Sequence, residues 1–553
     1  MQRSTVLAAL ALLTACAVVL WPGPFAPGLI GHPTGDLAYH VWGTDWFGGE
    51  LLQGRLPLYT RITHLPDGGW LYHPDPLGAL LALPLRPLGP ALAWNLLVSL
   101  QVLAAAAGGF VLGRALTDND AGALTAGVVC AASPFGLGLI HSGLSEYQGL
   151  VWPILAVWAV HRAAESPDRW RLAAFALWLC TAQAFYYGVF GALWALCVFA
   201  APPWRLIPLA KILLTWLVAS LPLIAAATGS FSAQEAAFTA QEAPGWSYQS
   251  LPATDLLSWV RPGDWVHPDT PRMGNPGILH VNYLGWAALI AALWAYLRDP
   301  RLAAWRRPAL FFGLFALGPS LSFNRRLITL GGVASLLPMA ALYLLPFSPW
   351  RAVHHPYRIA AFVVPLLAIG AACAASRLPR VLGYALPAVI LAESLFASAA
   401  PWPLVRAPFG EDAPLYAALP AEGHVLDWPP DNSEANRGYV LNQLIHRRGI
   451  PYGVSEFLPE PLRRDPLVGQ LLRTLRQVDR RARDRDVPFH GRVVLPLEPG
   501  ETRLGEWGFG AVVVHPERLS PPERSQTKRL LREAFGPPIV EDERGWVFGV
   551  SQR

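Results

Sequence analysis

The chain has 553 residues, 53% apolar and only 15% charged, with 23 tryptophans, a mean hydropathy of +0.33 and a formal net charge of +5. Ordinary soluble domains are about 25% charged. Long apolar blocks joined by short arginine-bearing connectors are instead the pattern of a polytopic membrane protein, and they exclude collagen, coiled coils, disordered tails and small disulfide scaffolds.

Arg3 opens an apolar run that passes a lipoprotein-like box, Leu13-Thr14-Ala15-Cys16, and continues through Val19, Leu20 and Trp21, which suits an uncleaved first span. Further spans are expected at 91–115, 121–140, 148–163, 171–186, 188–201, 206–227, 280–297, 308–322, 357–376 and 381–399, about 11 in all. The excess of positive charge lies in residues 1–399, where 22 basic residues face 17 acidic ones. Arg162, Arg169, Arg171, Arg205, Lys211, Arg298, Arg301, Arg306, Arg307, Arg377 and Arg380 fall in short connectors or in the span ends that flank them, which the positive-inside rule assigns to the cytoplasm. A nucleic-acid binder would gather these charges on one face, so no nucleic-acid partner is expected. All five cysteines sit inside apolar blocks, which leaves no disulfide framework and no thiolate zinc site.

Three external segments, 22–90, 228–279 and 323–356, exceed what a connector needs, and loops of that length usually serve function. Two apolar stretches within them, Leu77–Pro90 and Leu327–Pro346, are short and proline-broken, and are expected to be helices lying in the membrane interface. From residue 400 a soluble, extracytoplasmic domain is expected over 400–553, of α/β or α+β type. Its strand-like runs are His424–Trp428, Arg492–Leu497, Gly510–His515 and Trp546–Val550, and Pro461–Arg485 reads as helical.

Some chemistry is excluded by absence. No Gly-Lys pair exists for a phosphate-binding loop, and Gly143-Leu144-Ser145-Glu146-Tyr147 lacks the second glycine of a nucleophile elbow. Few charged residues lie within the spans, which argues against an ion-coupled transporter. Polar residues gather just outside the first span, in Gly35-Asp36-Leu37-Ala38-Tyr39-His40, then Asp45 and Glu50. On a helix Asp36 and His40 share a face. Asp36 is therefore a candidate general base, with a plain helix N-cap as the alternative. Glu146, between two spans, is the second candidate catalytic carboxylate, with a hairpin acid as the alternative. Trp42, Trp46, Trp70 and Tyr72 suit either sugar stacking or an interfacial aromatic belt. Arg351-Ala352-Val353-His354-His355-Pro356-Tyr357-Arg358 stands before a span on the same side, and guanidinium groups there suit either phosphate or membrane anchoring.

A first span followed by Gly-Asp in a long first loop, many later spans and a soluble tail resembles the GT-C membrane glycosyltransferases. The more specific marks are Gly54-Arg55-Leu56-Pro57-Leu58-Tyr59, Pro66-Asp67-Gly68-Gly69, Tyr72-His73-Pro74-Asp75-Pro76, His141-Ser142-Gly143 and Arg351 to Arg358. The resemblance covers residues 1–400. It implies a GT-C-like transmembrane catalytic domain over 1–399 in the cytoplasmic membrane, a polyprenyl-phosphate sugar donor, and Asp36 as the base that activates the acceptor. His40, Asp45, His73, Asp75, Arg351, His354, His355 and Arg358 are the candidate substrate-binding residues. No cofactor is required by the sequence. Some members of that superfamily use a divalent metal, and Asp264, His267, Asp269, His280 and His32 carry ligand-type side chains, but their spacing matches no defined metal motif. Two other readings stay open: a transporter or flippase for lipid-linked saccharides, and a non-catalytic envelope-assembly protein.

Overall fold

The structure, a computed structural model, describes residues 3–199, 206–238, 254–263, 277–324, 326–344, 356–430, 433–453, 458–482 and 500–550. The chain opens with α1 (Arg3–Val19), β1 (Leu29–Ile30), α2 (Leu37–Leu52) and the hairpin strands β2 (Tyr59–Thr60) and β3 (Gly69–Trp70). There follow α3 (Pro76–Ala82), α4 (Pro90–Thr117), α5 (Asp120–Ala132), α6 (Pro134–Ser142), the short α7 (Ser145–Gln148), α8 (Val151–Glu165), α9 (Trp170–Gln183), α10 (Phe185–Phe199) and α11 (Leu206–Phe238). Next come α12 (Trp286–Arg298) and α13 (Ala303–Ala316), strands β4 (Ser322–Phe323), β5 (Arg326–Leu327), β6 (Thr329–Leu330) and β7 (Val333–Ala334), then α14 (Pro338–Leu344), α15 (Ala360–Arg377) and α16 (Arg380–Ala397). The remainder holds β8 (Arg406–Ala407), α17 (Ala413–Tyr416), β9 (His424–Trp428), α18 (Ser433–His446), α19 (Glu460–Arg464), α20 (Pro466–Ala482), β10 (Phe509–Val514), α21 (Pro521–Phe535), β11 (Val540–Glu541) and β12 (Trp546–Gly549).

These elements form two compact units. The first comprises Met1–His40, His73–Ala225 and Pro244–Ala407; the second comprises Val41–Tyr72, Ala226–Ala243 and Pro408–Arg553.

The first unit is a helical assembly. Among the described residues, five helical segments are long and apolar enough to cross a membrane: Pro90–Thr117, Asp120–Ser142, Leu206–Gly229, Tyr357–Arg377 and Arg380–Ala397. Two of them, Asp120–Ser142 and Tyr357–Arg377, are almost wholly buried. Small residues let them approach. A Cβ on Gly113 would lie 2.7 Å from Ala126 Cβ, one on Gly122 would lie 2.9 Å from the Ala372 carbonyl, and one on Gly370 would lie 2.7 Å from Ala292 Cβ. Close backbone approach replaces the hydrophobic drive that lipid cannot supply. At Ser133 the second segment breaks, because the Ser133 hydroxyl accepts from the Gly136 amide and Pro134 starts a new helix.

One sequence expectation is corrected here. Leu77–Pro90 is helical, as α3 and a 3₁₀ turn over Leu83–Leu88, but Leu327–Pro346 is not one interfacial helix. Thr329 pairs with Ala334 and Leu330 with Val333, and helix appears only at Pro338–Leu344. The cause is Gly331-Gly332, both with positive φ (59° and 80°), which closes a two-residue hairpin whose twist matches that of its strands.

The second unit carries a four-stranded sheet in the order β11-β12-β10-β9, with β9 and β10 parallel and the other pairs antiparallel. Three of the four strand-like runs expected from the sequence are strands of this sheet, and the fourth, Arg492–Leu497, lies outside the described residues. Helices α18, α20 and α21 accompany the sheet, so the unit is of α/β type. The first-loop segment belongs to it through backbone hydrogen bonds, from the Ile450 amide to the Ile62 carbonyl (2.9 Å) and from the Leu65 amide to the Ile450 carbonyl (3.4 Å).

Candidate active site

The site is built on the turn between β1 and α2, and interlocked glycines place it. The His32 amide donates to the His141 carbonyl (2.7 Å), and the Asp36 amide to the Ser142 carbonyl (2.9 Å). Gly143, at φ +71°, ends α6; a Cβ there would stand 2.5 Å from Leu37 Cα. A Cβ on Gly35 would meet the Ser142 carbonyl oxygen at 2.6 Å and that of Gly277 at 2.9 Å. Only glycine permits both contacts, and together they hold Asp36 at the head of α2 against the end of α6. The Asp36 carbonyl accepts from the His40 amide (3.3 Å), so the two residues stand one turn apart on one face.

His40 is buried and both of its ring nitrogens are engaged: Nε2 lies 3.2 Å from Glu146 Oε2, and Nδ1 lies 3.1 Å from Ser145 Oγ. The imidazole of His73 stands 6.3 Å from that of His40 and is also buried. Burial and the neighbouring His40 push His73 well below the usual histidine range. Asp75 is fully buried and caps α3, its Oδ1 accepting from the Gly78 amide at 2.6 Å. Burial drives its carboxyl well above the usual range. The Gly78 amide, the Ser145 hydroxyl and the Gln183 amide oppose that rise, while the charge of Glu146 adds to it. Removing a carboxylate from water outweighs three hydrogen-bond partners here.

Arg358 borders the same cluster. Its guanidinium lies 4.0 Å above the Tyr147 ring and 5.4 Å from that of Tyr186, and it donates to the Tyr147 hydroxyl at 2.5 Å. Tyr147 is fixed in turn, since the Tyr187 hydroxyl donates to its carbonyl. A cation is thereby held beside Glu146, the residue before Tyr147.

Of the residues proposed from the sequence, Asp36, His40, His73, Asp75, Glu146 and Arg358 belong to the first unit, and the last five of these interact directly or through one intervening residue. Asp45 belongs to the second unit, where it forms an ion pair with Arg447 (2.5 Å). Arg351, His354 and His355 lie outside the described residues, as do Asp264, His267 and Asp269. His280 packs edge-on against Tyr357 (5.3 Å), and the rings of His32 and His141 lie 5.0 Å apart, tilted by 39°. No group of three metal-ligating side chains occurs among the described residues. Trp42 and Trp46 stack on each other at 5.6 Å and are buried, with Trp42 Nε1 donating to Gln443, so these two rings are core, and of the four aromatics named from the sequence Trp70 alone is exposed. Sequence reasoning missed Ser145, Tyr147 and Gln183. The available signal was the polar run Ser145-Glu146-Tyr147-Gln148 in the middle of apolar sequence.

No protein-family model matches the chain, and no curated protein matches it in sequence. Solved structures do. The mycobacterial arabinofuranosyltransferase AftD aligns with 100% of this chain and 40% of its own at a TM-score of 0.51 and 14% identity. ArnT from Cupriavidus metallidurans, bound to undecaprenyl phosphate, aligns over 98% of this chain and 97% of its own, with a TM-score of 0.48 and 13% identity. The oligosaccharyltransferase AglB from Archaeoglobus fulgidus, in complex with an inhibitory peptide and a dolichol-phosphate, covers 96% of this chain and 71% of its own, with a TM-score of 0.44 and 12% identity. At these identities the likeness is one of fold.

Proposed function

Given a chain with the fold of the GT-C glycosyltransferases, we propose that it is an integral membrane glycosyltransferase. It moves a sugar from a polyprenyl-phosphate donor to an acceptor on the outer face of the cytoplasmic membrane. In this reading Asp36 removes the acceptor's hydroxyl proton as the new bond forms at the anomeric carbon. The bond from that carbon to the phosphate oxygen breaks, and the polyprenyl phosphate leaves with the electron pair. Glu146 faces the positive charge that builds on the sugar ring, and Arg358 meets the departing phosphate. A lipid phosphate leaves as an anion, so no second carboxylic acid need protonate it.

The observation that carries this reading is the grouping itself. His40, whose ring nitrogen lies 3.2 Å from the Glu146 carboxylate, stands one helical turn from Asp36, and the hydroxyl of the residue after Glu146 accepts from the Arg358 guanidinium. Acid–base groups therefore stand beside a guanidinium at the start of the apolar segment Tyr357–Arg377.

Asp36→Asn tests it. Asparagine keeps the size and the capping oxygen but cannot take a proton. With expression matched and lipid-linked donor supplied to membranes, the rate should fall on the order of 10²–10⁴-fold, and Asp36→Glu should keep part of it. A wild-type rate in Asp36→Asn would remove Asp36 from the base role.

A further inference from the structure

Arginines gather at one end of the helical unit, around the turns that follow α12 and α15: Arg298, Arg301, Arg306, Arg307, Arg377 and Arg380, each of them exposed. One acid stands in these turns. Asp299 is fully buried, and its Oδ2 receives Arg301 Nη2 at 2.6 Å and Arg377 Nε at 3.0 Å, so a single oxygen holds two guanidiniums side by side. Arg301 Nη2 also donates to Ser376 Oγ (2.9 Å), which ties the turn after α12 to the end of α15. Two further hydrogen bonds reach the last carbonyls of α12, from Arg306 Nε to Tyr296 (2.7 Å) and from Arg377 Nη1 to Arg298 (3.4 Å). Carbonyls at a helix C-terminus lack helical partners, and the helix dipole favours cations there.

These contacts order the arginines without using them up. Among the described residues, Arg301 Nη1, Arg377 Nη2 and both Nη atoms of Arg306 make no hydrogen bond. Nor is the charge balanced nearby. The α4–α5 turn packs beside the cluster, where a Cβ on Gly122 would meet the Ala372 carbonyl, but its acids Asp118 and Asp120 are both paired with Arg114.

The surroundings identify what could fill this site. Tyr357–Arg377 and Arg380–Ala397 are each long and apolar enough to cross a membrane, and only Leu378-Pro379 joins them. The cluster therefore lies where such helices leave hydrocarbon for the headgroup layer. Helix α12 exposes Trp286, Ile290, Leu293 and Leu297, an apolar stripe at helical spacing. That stripe ends at Leu297, between the two residues whose carbonyls receive Arg306 and Arg377. An apolar strip leading into unfilled guanidinium donors matches an amphiphile with an anionic head.

We propose that this cluster is a specific site for an anionic phospholipid, whose phosphate bridges Arg301, Arg306 and Arg377 and whose acyl chains lie along Ile290, Leu293 and Leu297. This lipid is bound and not consumed, and nothing in its binding depends on the transfer reaction. General attraction of basic connectors to an anionic leaflet needs charge alone. A specific site needs the ordered forks of the guanidiniums.

Native mass spectrometry of the full-length protein in detergent, with phosphatidylglycerol or phosphatidylcholine of the same acyl chains added, separates the two. The wild type should retain phosphatidylglycerol in preference to phosphatidylcholine. Arg306→Ala leaves both partners of Asp299 in place and should weaken phosphatidylglycerol retention roughly 10-fold, the cost of one charge-assisted hydrogen bond. Arg306→Lys keeps the charge without the fork and should recover only part of that loss. The double variant Arg169→Ala/Arg171→Ala removes two exposed cations from a different connector and should leave retention unchanged. Equal retention of the two lipids, no loss in Arg306→Ala, or an equal loss in the Arg169/Arg171 variant overturns the proposal. Complete release of the bound lipid by inorganic phosphate also overturns it, because the cluster would then be a site for a free anion.

Discussion

Arg358 owes its place to two phenol rings, with Tyr147 below its guanidinium and Tyr186 beside it. Such stacking suits the flat, weakly hydrated guanidinium far better than an ammonium. On the transferase reading, Arg358→Ala should weaken donor use about 10- to 100-fold, since a lost charge-assisted hydrogen bond costs roughly 1.5–3 kcal/mol. Arg358→Lys should recover only part of this. Initial rates at varied donor concentration decide it, and unchanged donor kinetics in a folded Arg358→Ala would make the residue a packing element alone. Asp36 and His40 were legible because helical spacing places them on one face. Ser145 and Tyr147 were not: nothing in a linear pattern shows that a serine meets an imidazole 105 residues upstream, or a tyrosine a guanidinium 211 residues downstream. The same limit applies to Trp42 and Trp46. A sequence pattern suits them to a sugar platform or a membrane belt, whereas the fold stacks them on each other and gives Trp42 Nε1 to Gln443.

Helices were legible wherever apolar length was unambiguous, and less so where glycine decided. Thr329–Ala334 is as apolar as a helix, yet two successive positive φ values turn it back on itself. Glycine has a different use in the second unit, where it makes room for imidazoles. A Cβ on Gly453 would fall 2.0 Å from His64 Cε1, and one on Gly449 would fall 2.6 Å from His424 Nδ1. His64 and His446 are so enclosed that burial lowers each to about 4, and burial lowers His424 as well. Below the ordinary value of 6.5 the unfolded chain binds protons that the folded unit refuses until about pH 4. Stability from this source is therefore complete above pH 6.5 and is lost as pH falls, by up to about 1.4 kcal/mol per pH unit for each histidine. Amide exchange of β9 and β10 between pH 6.5 and 4 should show that slope, and His446→Gln should flatten it. A slope of opposite sign would mean that these imidazoles are charged in the folded unit.

At the scale of the whole molecule, arginine-rich connectors assign the sides of the membrane, although not every such arginine is free: Asp299 pairs with both Arg301 and Arg377. If the positive-inside rule holds for those connectors, the first loop and the tail are expected on the non-cytoplasmic side. Reporter fusions at Gly68 and Gly423 should both report the non-cytoplasmic compartment, and a cytoplasmic signal from both would invert the assignment. That the two sites agree follows from the second unit alone, because Asp45 pairs with Arg447 and Ile62 bonds to Ile450, and such contacts cannot span a bilayer. Parity is the consequence. Between Tyr72 and Pro408 the chain must cross the membrane an even number of times. Among the described residues, the five long apolar segments all lie in that interval, and five is odd. The shorter apolar helices Pro76–Leu88, Phe185–Phe199 and Trp286–Arg298 lie there too. Either an odd number of these five segments stays on one side, or the rest of the interval supplies an odd number of additional crossings.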